Sequence, residues 1–171
     1  MVSPVFGVTG WKNSGKTTLA AGLLGEFTRR GYVVTAIKHA HESFDIDRPG
    51  TDSFRLRAAG AQRVVLSSPR RWAVIHEVLA EPEARLEELL TLVGTCDLVI
   101  VEGFKNAPFP KLEIRRDGAV SRIPLAPGVS QVVAVASDRP NEEPDNLPTF
   151  HMDDLNGMAD FVIAYLKLEA P

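Results

Sequence analysis

Gly10-Trp11-Lys12-Asn13-Ser14-Gly15-Lys16-Thr17-Thr18 is the stretch from which the fold can be read. Gly10 to Thr17 fit the pattern G-x-x-x-x-G-K-[ST]. Ahead of it runs Val5-Phe6-Gly7-Val8-Thr9, a short, apolar, β-prone segment that stops at Gly10 and reads as a buried strand. Behind it, Ala20, Leu23, Leu24 and Phe27 recur at i, i+3, i+4 and i+7, one face of a helix. Gly31 closes that helix at its C-terminal cap. Tyr32–Ile37 is a second strand by the same criteria. Strand, helix and strand in succession predict a right-handed βαβ unit and a parallel sheet. The chemistry asks for the same residues. Glycines let the backbone curl so that amides face phosphate oxygens, and the helix starting at Lys16 adds the positive end of its dipole. Lys16 supplies a flexible ammonium for the β- and γ-phosphates, and the Thr17 hydroxyl is placed to ligate Mg²⁺. Trp11, Lys12 and Asn13 lie inside the loop, as phosphate contacts or as variable filler.

Working outward, His39 to Thr51 is polar and irregular, with the turn signal Pro49-Gly50. Phe54–Ala59 suggests a short helix ending at Gly60. Arg63–Ser67 and Trp72–His76 read as strands. Pro82 opens a helix whose apolar face is Leu86, Leu89, Leu90 and Val93, stopped by Gly94. Leu98–Val101 and Val132–Ala136 are apolar strands, ending at Glu102-Gly103 and Ser137-Asp138. Asp138 to Pro148 reads as a solvated loop, and a last helix begins near Asp153-Asp154 with Leu155, Met158, Ala159, Val162, Tyr165 and Leu166 as its apolar face. Ligands of open α/β sheets bind beyond the carboxyl ends of the strands. This puts Gly10–Thr18, the His39–Asp52 loop, Glu102-Gly103 and Ser137-Asp138 along one edge. The expected architecture is a three-layer α/β fold of the phosphate-loop NTPase type, with a mostly parallel central sheet flanked by helices. Residues 1–171 form a single nucleotide-binding domain on this reading.

Composition narrows the class. The chain has 171 residues, 44% apolar and 24% charged, close to an average soluble domain. A net charge of −3 and a pI near 5.8 argue against nucleic acid as a partner. No run approaches the ~20 apolar residues of a membrane span, and no charged leader precedes the first strand, so the expected location is the cytoplasm. One cysteine, Cys96, leaves neither an internal disulfide nor a Cys-rich zinc site and reads as a buried bystander.

Several acids stand where they can serve the phosphates. Glu102 ends an apolar strand, where a carboxylate can hold Mg²⁺ or its water shell; capping a local turn is the plain alternative. Asp45 or Asp47 is a second Mg²⁺ or attacking-water contact, which makes Thr17, Glu102, Asp45 and Asp47 the candidate metal ligands. Lys16, Glu102 and Asp47 are the candidate catalytic residues. His39 and His41 could ligate a transition metal or merely flank a bend. Asp52, Arg55 and Arg57 reach substrate or form a solvated face. Asp138 can accept from the N1–H and exocyclic amine of guanine, a donor pair that adenine lacks, or cap a turn. The full Asn-Lys-x-Asp guanine signature is missing.

Three blocks carry a resemblance. Gly10-Trp11-Lys12-Asn13-Ser14-Gly15-Lys16-Thr17-Thr18-Leu19 resembles the phosphate loop of the molybdopterin-guanine dinucleotide biosynthesis protein B (MobB) family. Ile37-Lys38-His39-Ala40-His41 with Asp47–Arg55 is similar to that family's second block, and Leu98–Lys105 with Pro110–Glu113 to its third. The resemblance runs to about Asp138, and the second and third blocks make it specific. It implies a GTP-binding protein with weak Mg²⁺-dependent GTPase activity, forming a homodimer. Its place would be the last step of the molybdenum cofactor pathway, where a GMP moiety joins molybdopterin. It would assist a partner nucleotidyltransferase that performs the transfer, with molybdopterin a further possible contact. By position, Gly10 to Thr18 would bind GTP and Glu102 would sit near Mg²⁺; Asp47 and Asp52 match family positions to which no role is attached.

The other class weighed is an ATP-dependent small-molecule kinase, which usually carries an arginine-bearing lid. Arg70-Arg71 and Arg115-Arg116 are the late arginine pairs, and neither reads as a lid. No water-activating glutamine or arginine finger is readable, which fits slow turnover or a group supplied by a partner.

Overall fold

The apolar segment ahead of the glycine loop is strand β1 (Val5–Gly10), and helix α1 (Lys16–Arg29) follows it. The computed structural model describes residues 3–40, 44–126, 128–144 and 146–171. Further along come β2 (Val34–Lys38), α2 (Asp52–Ala58), β3 (Arg63–Ser68), β4 (Arg71–His76), α3 (Leu86–Leu90), β5 (Leu98–Glu102), β6 (Lys111–Arg115), β7 (Val132–Ser137), β8 (Thr149–His151) and α4 (Leu155–Leu166). They fall into two compact units: Met1–His39 with Leu86–Pro171, and Ala40–Arg85.

In the first unit six strands pair in the order β2-β5-β1-β6-β7-β8, every neighbouring pair parallel. The period-2 alternation of strands sorts their side chains to two faces. Phe6, Val8, Leu98, Ile100, Leu112 and Ile114 face a core completed by Leu23 and Phe27 of α1 and Met158 and Val162 of α4. Val99, Val101 and Ile37 face a second core with Leu86 of α3, Cys96 and Phe109. With helices on both faces the sheet is the middle of three layers, as expected. Each fully buried large apolar side chain stabilises this sandwich by about 1.5–3 kcal/mol.

The predicted βαβ unit is present with one change: β5 lies between β2 and β1. From β1 the chain fills positions on one side (β2, β5) and then on the other (β6, β7, β8). The glycine loop therefore sits where the strand order switches direction, the place where a parallel sheet opens a crevice.

The second unit is α2 and an antiparallel hairpin of β3 and β4, separate from the main sheet. Thr51 caps α2, its hydroxyl accepting from the Phe54 amide. Of the hairpin residues Val64 is buried, whereas Val65 and Trp72 are about 70% exposed (68% and 70%).

Other expectations shift. β6 and β8 were not foreseen. The helix expected from Pro82 covers only Leu86–Leu90, since its charged opening, Pro82 to Arg85, contributes no apolar face. Asp154 does not enter α4 but caps it, accepting from the Gly157 amide at 2.9 Å. The Asp138–Pro148 loop holds a 3-10 turn at Pro140–Glu142, and the Glu143 side chain is only 4% exposed. Its burial is paid back by ion pairs described below.

Candidate functional site: the phosphate loop and its cation pocket

Gly10 ends β1 at φ +153°, where a Cβ would stand 3.0 Å from the Ile114 carbonyl oxygen, so only glycine lets the backbone turn there. Asn13 and Gly15 adopt left-handed φ of 64° and 93°, and α1 begins at Lys16. The first-turn amides of a helix have no carbonyl one turn earlier to bond, which suits them to an anion. The Lys16 ammonium donates to the carbonyls of Gly10 (3.1 Å) and Trp11 (2.9 Å), so it folds back over the loop. Burial holds the Lys16 ammonium below the usual lysine value; Glu102 pulls it upward and Lys38 pushes it down. The Ser14 hydroxyl is buried with no hydrogen-bond partner among the described residues.

The parallel register brings Val8, Glu102 and Lys38 side by side across β1, β5 and β2. As a result the Thr17 hydroxyl, at the start of α1, donates to Glu102 Oε1 at 2.9 Å. A hydroxyl and a carboxylate in contact are hard oxygen donors of the kind Mg²⁺ takes, usually alongside waters and substrate phosphates. Thr17 and Glu102 therefore fit the ion expected of them. Lys38 was not singled out from the sequence: its ammonium lies 2.8 Å from Thr17 Oγ1 and 3.0 and 3.1 Å from the two Glu102 oxygens.

The blocks at the ends of β2 and β5 interlock. The His39 amide donates to the Glu102 carbonyl at 2.8 Å, and the His39 ring stacks on Phe104 with centroids 4.5 Å apart. A Cβ on Gly103, at φ +97°, would meet the His39 Cβ at 2.7 Å. Glycine after Glu102 is thus what lets the two strand ends close on each other.

A segment after β6 covers the loop. The Trp11 indole donates to the Ile123 carbonyl at 2.8 Å, and the Val120 amide to the Lys12 carbonyl at 2.9 Å. Arg116 sends its guanidinium to 3.6 Å from where a Gly15 Cβ would stand. No local pattern prefers Arg116 over its neighbour; only the strand's alternation, which buries Arg115 and turns Arg116 out, separates them. Buried charges hold this segment. Arg115 bonds Glu113 (2.7 Å) and Glu143 (3.0 Å), and Glu143 in turn accepts from Arg122 (2.7 Å) and the Ser137 hydroxyl (2.5 Å).

Asp138 lies at the foreseen strand end, but its carboxylate is engaged. Oδ2 accepts from the Asp117 amide at 2.8 Å and Oδ1 from Arg122 at 2.5 Å. Burial works against its charge, yet the Asp117 amide and the Arg122 guanidinium hold the carboxyl below its ordinary value. Asp45 and Asp47 lie in the Ala40–Arg85 unit, gathered on Arg57. Asp47 accepts from Arg57 Nε (2.8 Å) and the Ser53 hydroxyl (2.8 Å), and Asp45 from Arg57 Nη2 (2.9 Å). Asp52 starts α2, 3.9 Å from Arg55. His41 lies outside the described residues. Among those described, no group of three or more His, Cys, Asp or Glu side chains could hold a metal ion, and no helix is long and apolar enough to cross a membrane.

A six-stranded parallel sheet, a glycine loop at its switch point and a Thr–Glu pair at the neighbouring strand end define a phosphate-loop protein of the α/β class. Residues 5–138 match the family model of molybdopterin guanine dinucleotide synthesis protein B, and the chain belongs to that family. It is 37% identical over 166 residues to the molybdopterin-guanine dinucleotide biosynthesis adapter protein of Escherichia coli K12, covering 96% of this chain and 94% of that one. To the probable adapter protein of Bacillus subtilis it is 30% identical, over 98% of this chain and 95% of that one. The crystal structure of Bacillus subtilis MobB superposes with a TM-score of 0.73 at 29% identity, covering 97% and 99% of the two chains. A MobB homologue from Bacillus stearothermophilus gives 0.71 at 25% identity, covering 95% and 97%.

Proposed function

We propose that this protein is a GTP-binding adapter in molybdopterin-guanine dinucleotide biosynthesis. It binds GTP with Mg²⁺, hydrolyses it slowly, and assists a separate nucleotidyltransferase as a cytoplasmic homodimer. The observation that carries the reading is the Thr17–Glu102 contact 2.9 Å long beside a glycine loop with its lysine. Gly10 to Thr18 would cradle the triphosphate, Lys16 leaving its two carbonyls for the β- and γ-oxygens. Thr17 and Glu102 would hold Mg²⁺, which neutralises charge developing on the phosphates. The relatives' names supply the pathway. Both units, residues 1–171, serve as one nucleotide-binding domain in this reading. Asp45 and Asp47 join the metal or the attacking water only by leaving Arg57, and Asp138 reads guanine only by exchanging Arg122 for the base.

Titration calorimetry with GTP and ATP, each with and without Mg²⁺, tests the reading. Tighter binding of GTP than ATP is expected, with hydrolysis slow alone and changed by the nucleotidyltransferase. Phosphate appearing on an added small acceptor would make the chain a kinase instead, and equal affinities would remove the guanine preference. Asp138→Asn should weaken GTP relative to xanthosine triphosphate; an unmoved ranking would assign base recognition elsewhere.

A further inference from the structure

We infer that Lys38 is a tethered cation that occupies the divalent-metal position in the nucleotide-free protein and must be displaced when metal binds. The inference rests on the nucleotide reading above and deepens it. The Lys38 ammonium is bonded to both groups that would ligate Mg²⁺: the Thr17 hydroxyl at 2.8 Å and both Glu102 oxygens at 3.0 and 3.1 Å. Mg²⁺ held by those same oxygens at bond lengths of about 2.0–2.1 Å would need the lone pairs and the space that the ammonium now takes. Two cations cannot share that space, so ammonium and metal are alternative occupants.

The arrangement has a physical use at each end. The Glu102 side chain is 11% exposed, and a carboxylate that dry needs a countercharge. Lys38 supplies it before any ligand arrives and keeps the Thr17–Glu102 pair assembled. The Lys38 side chain is 55% exposed and stands at the last position of β2. Its four-carbon stem can therefore swing into water without repacking the core. Metal binding to the empty protein is thereby penalised.

Mn²⁺ serves as the probe, titrated into nucleotide-free protein and followed by electron paramagnetic resonance. Lys38→Met should bind Mn²⁺ at least about tenfold more tightly than wild type. Lys167→Met, which removes the same charge at the C-terminal cap of α4, should stay within about twofold. Equal Mn²⁺ affinity in wild type and Lys38→Met overturns the inference. A second measurement uses the wild-type chain. The ¹⁵N ammonium signal of Lys38, assigned by its absence from Lys38→Arg, should be visible through slow proton exchange without metal. It should vanish with Mg²⁺ and a non-hydrolysable GTP analogue; its persistence in the loaded protein also overturns the inference. If no guanine nucleotide binds any of these proteins, the nucleotide reading falls, and the Mn²⁺ comparison still decides the role of Lys38.

Discussion

At the scale of single residues, the site is a contest between cations for few oxygens. Lys16 sits on two loop carbonyls and Lys38 on the Thr17–Glu102 pair. Under the proposed function both leave these groups when a triphosphate binds with its metal. Charge-assisted hydrogen bonds contribute about 1.5–3 kcal/mol each, so Lys16→Ala should weaken GTP about tenfold to a hundredfold. Calorimetry in Mg²⁺ buffer measures this directly. Unchanged affinity would remove Lys16 from the phosphate contacts. Lys111 is a different kind of lysine. It is wholly buried at the start of β6, donates to the carbonyls of Ala107, Phe109 and Ser130, and lies over the Phe109 ring. Burial pushes its ammonium down to about 8 from 10.5. The unfolded chain thus holds more proton between those two values, so this group's contribution to stability rises with pH across that window. The difference in urea midpoint between wild type and Lys111→Met should shift in favour of wild type from pH 8 to 10.5. A pH-independent difference would show that the buried ammonium keeps its ordinary proton affinity.

At the scale of elements, β6 decides how the loop is covered. Leu112 and Ile114 point into the apolar core with α1 and α4, while Lys111, Glu113 and Arg115 are buried on the opposite side. Arg115 is paired with Glu113 and Glu143, and Glu113 also accepts from the Leu125 amide at 2.8 Å. These bonds anchor the segment that reaches Trp11 and Lys12. Removing one member of a buried ionic group leaves its partners uncompensated, at a cost of about 3–5 kcal/mol. Arg115→Met should therefore lower unfolding free energy by that amount in urea denaturation. A loss below 1 kcal/mol would mean that the carboxylates protonate or find water. Lys-Leu-Glu-Ile-Arg does not read as a buried strand, because charged residues alternate with its two apolar ones. Its countercharge, Glu143, stands 28 positions away from Arg115.

At the scale of the whole molecule, the two units should differ in local stability. Six parallel strands share two cores in the first, whereas the hairpin of the second buries Val64 and leaves Val65 and Trp72 largely exposed. A two-stranded sheet is marginal by itself. Native-state hydrogen exchange should show amides of β1, β5 and β6 opening only with global unfolding, and those of β3 and β4 opening far more readily. Equal protection would mean that the hairpin is covered in solution. The first unit was largely legible beforehand: β1, α1, β5 and β7 follow from apolar runs and glycine stops. The hairpin's two strands were legible too, but not their separation from the main sheet, because pairing partners are chosen in three dimensions.

Local spacing along the chain was enough for the phosphate loop, the helix behind it and the apolar strands. Each rests on neighbours within about a turn or a strand, and short-range spacing encodes such neighbours completely. It also marked Glu102 as the acid at a strand end. Tertiary structure alone decided what that acid meets. Parallel register sets Lys38 beside Glu102 across 64 residues of chain, and no local pattern reports a contact at that separation. The same holds for Asp138, which is claimed by Arg122. Charges find partners according to where the sheet places them, because a buried charge is stable only beside its opposite.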